Sequence, residues 1–247
     1  MRLATGVAQR KVTLLKILDH LEAMHANFGW HWSSDTAPFE VCVGAILVQN
    51  TAWANAERAL VQLRSAGVMS PGAMGRIGRD RLAELIRPSG QYRQKTRKLH
   101  AFLELVANAG GLEGLLSLPK HTLRIRLIGT WGIGPETADC ILLYAAGQDR
   151  FVIDAYTIRL FTRFGMGPGA AAGYPAWQHF FEEAFADESD GERQRLWARY
   201  HARVVVHCKR LCLKRRPRCI ECTLKDQCPA SVTEPAADPA FRSNLAG

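Results

Sequence analysis

Leu127-Ile128-Gly129-Thr130-Trp131-Gly132-Ile133-Gly134-Pro135-Glu136-Thr137-Ala138-Asp139 sets a tight glycine turn between two apolar helical stretches. Two closely spaced glycines let the backbone take positive φ and let another chain approach with no Cβ in the way. Pro135 suits the first position of the following helix, where its missing N–H would be unpaired anyway. The amides of such a turn, with the positive end of a helix behind them, form an anion site. Taken alone, the pattern is also that of an ordinary helix–turn–helix corner. Further on, Phe151-Val152-Ile153 leads into Asp154, and Ala155-Tyr156-Thr157-Ile158-Arg159-Leu160-Phe161 has helical character. Asp154 therefore occupies a helix N-cap position, where a carboxylate stays ionised.

The surrounding composition narrows the choice. The chain has 247 residues, enough for one or two domains with a sizeable core. Lys and Arg outnumber Asp and Glu 32 to 23, for a net charge of +9. Such an excess favours an acidic partner, nucleic acid before a membrane surface. The anion matched to the glycine turn is then a DNA phosphate. No apolar run reaches membrane-spanning length and no signal-peptide pattern opens the chain, so a cytoplasmic (nucleoid-associated) protein with no membrane partner is expected.

Residues 1–11 read as a frayed basic lead before a helix through Leu14, Leu15, Ile17, Leu18, Leu21 and Met24. Phe28-Gly29-Trp30-His31-Trp32-Ser33-Ser34-Asp35 reads as an aromatic loop that either packs between domains or binds something. Phe39, Cys42, Val43, Ile46, Leu47 and Asn50 share one helical face. That helix closes on Val48-Gln49-Asn50-Thr51, and Trp53 opens the next. Ser65 to Gly78 reads as a loop, and Asp80 as the cap of a short helix. Arg87-Pro88-Ser89-Gly90-Gln91-Tyr92-Arg93-Gln94-Lys95 is a turn loaded with hydrogen-bond donors, and a helix bearing Leu99, Phe102 and Val106 follows it. Val204-Val205-Val206 lies inside the helical pattern of Trp197, Tyr200, Val204 and Cys208. No strand alternation of useful length occurs, so the fold class is all-α. Residues 229–247, rich in Ala, Pro, Ser and Asp, read as a disordered tail.

Seven cysteines are present, and four crowd together as Cys212, Cys219, Cys222 and Cys228, with six, two and five residues between them. In a reducing compartment this clustering speaks for a metal rather than disulfides. Four thiolates suit tetrahedral zinc or an iron–sulfur cluster, and spacing alone does not separate the two. Leu213-Lys214-Arg215-Arg216-Pro217-Arg218 lies between the first two ligands, so a pinned loop presents Lys214, Arg215, Arg216 and Arg218 to phosphates. Cys42, Cys140 and Cys208 read as buried packing thiols.

The glycine hairpin, the aspartate at the start of the next helix and the four-cysteine stretch together resemble the helix-hairpin-helix DNA glycosylases of the endonuclease III superfamily. The likeness spans about residues 12 to 228. Phe39-Glu40 to Thr51, the Arg87–Lys95 turn, the hairpin and Tyr200-His201-Ala202-Arg203 bring it nearest to the 3-methyladenine DNA glycosylase III branch. The resemblance implies two helical domains. Residues 33–147 would form a six-helix barrel-like domain with the hairpin, and 1–32 with 148–228 a helical domain with a 4Fe–4S cluster loop.

It also implies a monomeric enzyme acting on double-stranded DNA that contains a damaged base. Glycosylases extrude the target nucleotide into a pocket. Trp32, Trp53 and Trp30 would sandwich the base. Gln91 would wedge into the stack, and Gln49 would fill the vacated gap. Gly132, Gly134, Lys95 and the basic loop would hold the backbone. Asp154 would stabilise the sugar cation or orient water. Bifunctional members carry a hairpin lysine that forms a Schiff base. Here the position is Glu136, and a carboxylate cannot form an imine, so base removal without strand cleavage is expected. N-alkylated purines such as 3-methyladenine are the favoured substrate. A glycosylase for oxidised or deaminated pyrimidines and a non-catalytic iron–sulfur DNA-binding protein are the rival readings.

Overall fold

The computed structural model describes residues 6–32 and 35–231. Ser33, Ser34 and residues 232–247 of the expected tail lie outside the described residues, as do the first five residues of the expected lead. Among the described residues the chain is helical throughout, with no strand. They form two compact units. One holds the residues up to Trp30 together with those from Phe151 onward, and the other is His31–Arg150.

Helix α1 (Val7–Met24) begins inside the stretch expected to fray. Leu14, Ile17, Leu18 and Leu21 give it a buried stripe. Its first turns are also tied down: Arg10 pairs with Glu183 at 2.9 Å and lies over the Phe180 ring, and Lys11 bridges Asp187 and Glu188.

In the His31–Arg150 unit, α2 (Pro38–Leu47) is apolar on every side, and its residues from Val41 to Leu47 are all buried. This is the pattern of a central helix. Helix α3 is Trp53–Ser65. The expected loop from Ser65 to Gly78 contains α4 (Pro71–Arg76), capped by the Ser70 hydroxyl accepting from the Ala73 amide and anchored by fully buried Met74. The Ser-Pro pair was a readable start signal. Helix α5 (Arg79–Leu85) takes Gly78 as its N-cap, and Asp80 lies in its first turn instead of capping it. Helices α6 (Tyr92–Asn108), α7 (Leu112–Leu116), α8 (Lys120–Ile128) and α9 (Pro135–Cys140) follow. The unit thus has eight α-helices among its described residues, the six expected together with short α4 and α7. Helix α9 widens into a π turn over Ile141–Ala145, closed by the Ala146 amide on the Ile141 carbonyl at 3.0 Å.

The other unit continues with α10 (Ala155–Arg163), α11 (Tyr174–Glu182) and α12 (Asp190–Arg210). A reciprocal Ser189–Glu192 capping box starts α12. Val204, Val205 and Val206 lie within it, since burial of a helical stripe outweighs β-branched propensity. Its aromatic core stacks Phe151 on Phe181 (4.0 Å, 4°) and sets Trp197 edge-on to Phe151, while the Tyr200 hydroxyl donates to the Leu14 carbonyl at 2.9 Å. Each such fully buried apolar side chain contributes about 1.5–3 kcal/mol. Pro229–Ser231 forms a single turn.

Candidate active site

The hairpin joins α8 to α9. Gly132 has φ +83°, and a Cβ there would fall 2.4–2.9 Å from the stem carbons of Lys98. Both backbone conformation and packing therefore require glycine. Gly134 differs from the expectation. Its φ is −92°, it is the N-cap of α9, and nothing lies within 4 Å of where its Cβ would be. The missing side chain there leaves open room beside the turn. Pro135 is the first helical residue, and Glu136 is exposed in the first turn.

Gln49 braces this hairpin. Its Nε2 donates to the Gly132 carbonyl (3.1 Å) and to Thr137 Oγ1 (2.8 Å), and its Oε1 accepts from Lys98 Nζ at 2.5 Å. Both amide donors and one acceptor lone pair of Gln49 are thus engaged within the unit. Lys98, which the sequence reading missed, holds Gln49 with its ammonium and fills the space over Gly132 with its stem. No periodicity or motif marks it.

Lys95 also departs from expectation. It is 2 % exposed, and its Nζ donates to the carbonyls of Leu47 (2.8 Å) and Ser89 (2.7 Å). Burial pushes its pKa down to about 8. A buried ammonium bound to two carbonyls does not grip a phosphate. It ties the end of α2 to the turn that carries Gln91. At that turn Gly90 (φ +69°) and Gln91 (φ +45°, ψ +32°) both take positive φ, and Gln91 is exposed as the N-cap of α6. The left-handed region is unfavourable for a residue with a Cβ. Gln91→Gly is expected to stabilise the fold by about 0.5–1 kcal/mol, read as a raised melting temperature, while slowing base excision if the side chain acts in DNA. A faster or unchanged excision rate would remove Gln91 from the working surface.

The aromatic segment is divided between the units. Trp32 is 6 % exposed, tilted against Tyr144 (5.0 Å), edge-on to Trp53 (5.7 Å, 87°) and packed on Gly44. It forms a wall behind Trp53, which corrects its expected place as a face for a base. Trp53 is half-buried, and the His31 ring stacks on it at 3.5 Å and 18°. Trp30 belongs to the other unit, where it sits edge-on to His201 (5.5 Å, 84°).

Asp154 is buried and caps α10, with Oδ1 accepting from the Thr157 amide at 2.7 Å. His201 Nε2 lies 3.7 Å from Oδ2. Burial alone would raise this carboxyl, but His201 and the Thr157 amide outweigh it and hold Asp154 below its ordinary value.

Helix α10 also grips the cysteine loop. Arg159 donates to the carbonyls of Cys212 and Cys208, each at 3.0 Å. One turn on, Arg163 donates to the Leu213 carbonyl (2.6 Å) and to Cys212 Sγ (3.3 Å). Their i, i+4 spacing was a readable signal of a shared face. Cys212, Cys219, Cys222 and Cys228 all line one pocket, joined there by Leu160 and His207. Among the described residues no three His, Cys, Asp or Glu side chains converge as they would on a single metal ion. His207 connects Cys222 Sγ (3.9 Å) to His25 Nε2 (3.1 Å). Lys214, Arg215, Arg216 and Arg218 are exposed around buried Pro217. Cys42, Cys140 and Cys208 are buried.

An all-helical fold with a glycine hairpin and a buried, ionised helix-capping aspartate defines a class, and comparison identifies it. Residues 43–183 match the HhH-GPD superfamily of base excision DNA repair proteins, and the chain belongs to that family. It is 37 % identical over 218 residues to a Methanocaldococcus jannaschii protein provisionally named a DNA repair glycosylase, covering 87 % of this chain and 95 % of that one. The crystal structure of the H. pylori 3-methyladenine DNA glycosylase bound to 1,N6-ethenoadenine is similar with a TM-score of 0.68 and 27 % identity, over 79 % of this chain and 97 % of that one. A trapped endonuclease III–DNA covalent intermediate shares the fold, with a TM-score of 0.72 at 18 % identity, over 90 % and 97 % of the two chains. No helix among the described residues is long and apolar enough to cross a membrane.

Proposed function

We propose that this DNA glycosylase is monofunctional and releases N-alkylated purines, 3-methyladenine foremost, from double-stranded DNA. The observation that carries this reading is the flat His31 ring stacked on Trp53 at 3.5 Å, with Trp32 and Tyr144 behind it. An extruded base needs such a face, and on this reading it replaces His31 against Trp53. A cationic base gains about 0.5–2 kcal/mol there, which selects it from neutral bases without a dense hydrogen-bond code. Its positive charge also makes it a good leaving group without a strong general acid. The likeness to an H. pylori enzyme named for 3-methyladenine supports the same substrate.

The remaining roles follow from chemistry. Asp154, held ionised, stabilises the cation that develops on the sugar or orients water toward it. The hairpin, open beside Gly134, and the exposed Lys214, Arg215, Arg216 and Arg218 contact the DNA backbone. Gln91 wedges into the stack. Glu136 offers no amine, so no imine forms in the hairpin. Four cysteines lining one pocket supply the thiolate set of a 4Fe–4S cluster. When bound, that cluster supplies a covalent cross-link that fixes the basic loop. The protein acts as a monomer.

Duplexes that each carry one lesion, incubated with the enzyme under borohydride and then treated with alkali, test the reading. Release of 3-methyladenine is expected, with strand breaks only after alkali and no trapped covalent adduct. Trp53→Ala is expected to slow release about tenfold, the rate equivalent of one cation–π contact. Release of uracil or thymine glycol with methylated DNA untouched would overturn the substrate, and a trapped adduct would overturn the monofunctional assignment.

A further inference from the structure

The two carboxylate oxygens of Asp154 have different keepers. Oδ1 takes the Thr157 amide, as the side chain of any N-cap aspartate does. Oδ2 faces His201 Nε2 at 3.7 Å, and this contact owes nothing to capping. Both side chains are nearly sealed from solvent, with Asp154 7 % and His201 5 % exposed.

The imidazole is itself fixed. It projects from α12 between the buried Tyr200 and Ala202, and the Trp30 ring stands edge-on against it at 5.5 Å. Two residues on, Arg203 donates to the carbonyls of His25 (2.9 Å) and Phe28 (2.8 Å), which pins the segment leading to Trp30 onto the same helix. The ring therefore has little freedom to swing away. An imidazole held this way is a preorganised neighbour of the carboxylate, and a preorganised polar group costs no rearrangement as charge develops.

We propose that His201 is a positioning residue for Asp154: its imidazole, 3.7 Å from Oδ2, fixes the rotation of the buried carboxylate and favours the anion while the sugar cation forms. His201 acts through Asp154 and not on the DNA. The inference rests on Asp154 being the catalytic carboxylate. It also gives Tyr200-His201-Ala202-Arg203 a physical role: Tyr200 fixes α12 to α1, His201 aims the carboxylate, and Arg203 holds the aromatic segment.

Single-turnover excision and affinity for lesion-bearing duplex, measured on the full-length holoprotein, test it. His201→Asn falls one carbon short of Oδ2, whereas His201→Gln retains an N–H at comparable reach. The Asn variant is expected to excise about tenfold more slowly than wild type, a coupling typical of groups in direct contact. Its DNA affinity should stay within about twofold, and the Gln variant should recover most of the rate. In an Asp154→Asn background His201→Asn should cost nothing further, because the group it positions is gone. Equal rates for the Gln and Asn variants at matched melting temperatures, or an undiminished loss in the Asp154→Asn background, would overturn the proposal. Should wild type release no base from any lesion duplex, the glycosylase reading fails before His201 is tested. Should Asp154→Asn excise normally, the catalytic assignment fails instead.

Discussion

Asp154→Asn is expected to bind lesion-bearing duplex as wild type does and to excise its base about 10²–10³ times more slowly, the usual loss when one preorganised electrostatic group is removed from a reaction centre. The substitution separates two roles of one side chain. Asparagine is as good an N-cap as aspartate, so the bond to the Thr157 amide and the start of α10 survive. Only the charge disappears. A melting temperature close to wild type with excision abolished would show that the carboxylate acts on the reaction. Near-normal excision would reduce Asp154 to a cap. The pH dependence has a definite sign. Because the folded protein holds Asp154 below its ordinary value of 3.8, the anion is present throughout the neutral range. Its contribution to stability is complete above that ordinary value and is lost only as pH falls through the lower folded value. An acid limb of activity near neutrality would therefore belong to another group.

Cys219→Ser is expected to remove iron and to lower the melting temperature by about 10 °C or more. Metal-binding free energy is folding free energy for a loop of this kind, and each kcal/mol is worth about 2–4 °C in a chain of this length. Pro217 and Leu224 are the loop's buried side chains, and Arg159 and Arg163 of α10 grip its backbone carbonyls. Purified wild type should be brown, with about four irons per chain and broad visible absorbance. A colourless protein with one tightly held zinc would sink the cluster assignment. Loss of the loop should also loosen α10, whose other end is the Asp154 cap, so excision should fall together with stability. That coupled loss distinguishes Cys219→Ser from Asp154→Asn, which gives up only the carboxylate's own contribution to stability and leaves the loop in place.

The residues whose positions were misjudged share a physical cause. Lys95 and Gln49 are polar letters in donor-rich stretches, and sequence pattern assigns such groups to solvent or to a ligand. In the fold they meet carbonyls: Lys95 reaches Leu47, 48 residues earlier, and Gln49 reaches Gly132, 83 residues later. Trp32 in the aromatic loop fits a binding face equally well. It became a wall because Gly44 of α2 leaves room for its indole. Helix α4 was missed although Ser70-Pro71 announced it, since a run rich in Gly, Ser and Pro outweighed the cap in the reading.

By itself the sequence determined the local and the covalent. Helical periodicity, caps and the absence of strand alternation specify an all-α chain, because those signals act between residues three or four apart. The Gly132-Ile133-Gly134 turn, the aspartate that opens α10, Glu136 in the first turn after the hairpin and the spacing of four cysteines are likewise legible in order along the chain. Only the tertiary structure decided which polar heads face inward. It set His201 against Asp154, 47 residues earlier, placed His31 on Trp53, and closed Lys98 over Gly132. Those choices depend on how helices pack. A buried lysine with two carbonyls and an exposed one in water are written with the same letter, and it is the cost of leaving a buried polar group without its partners that tells them apart.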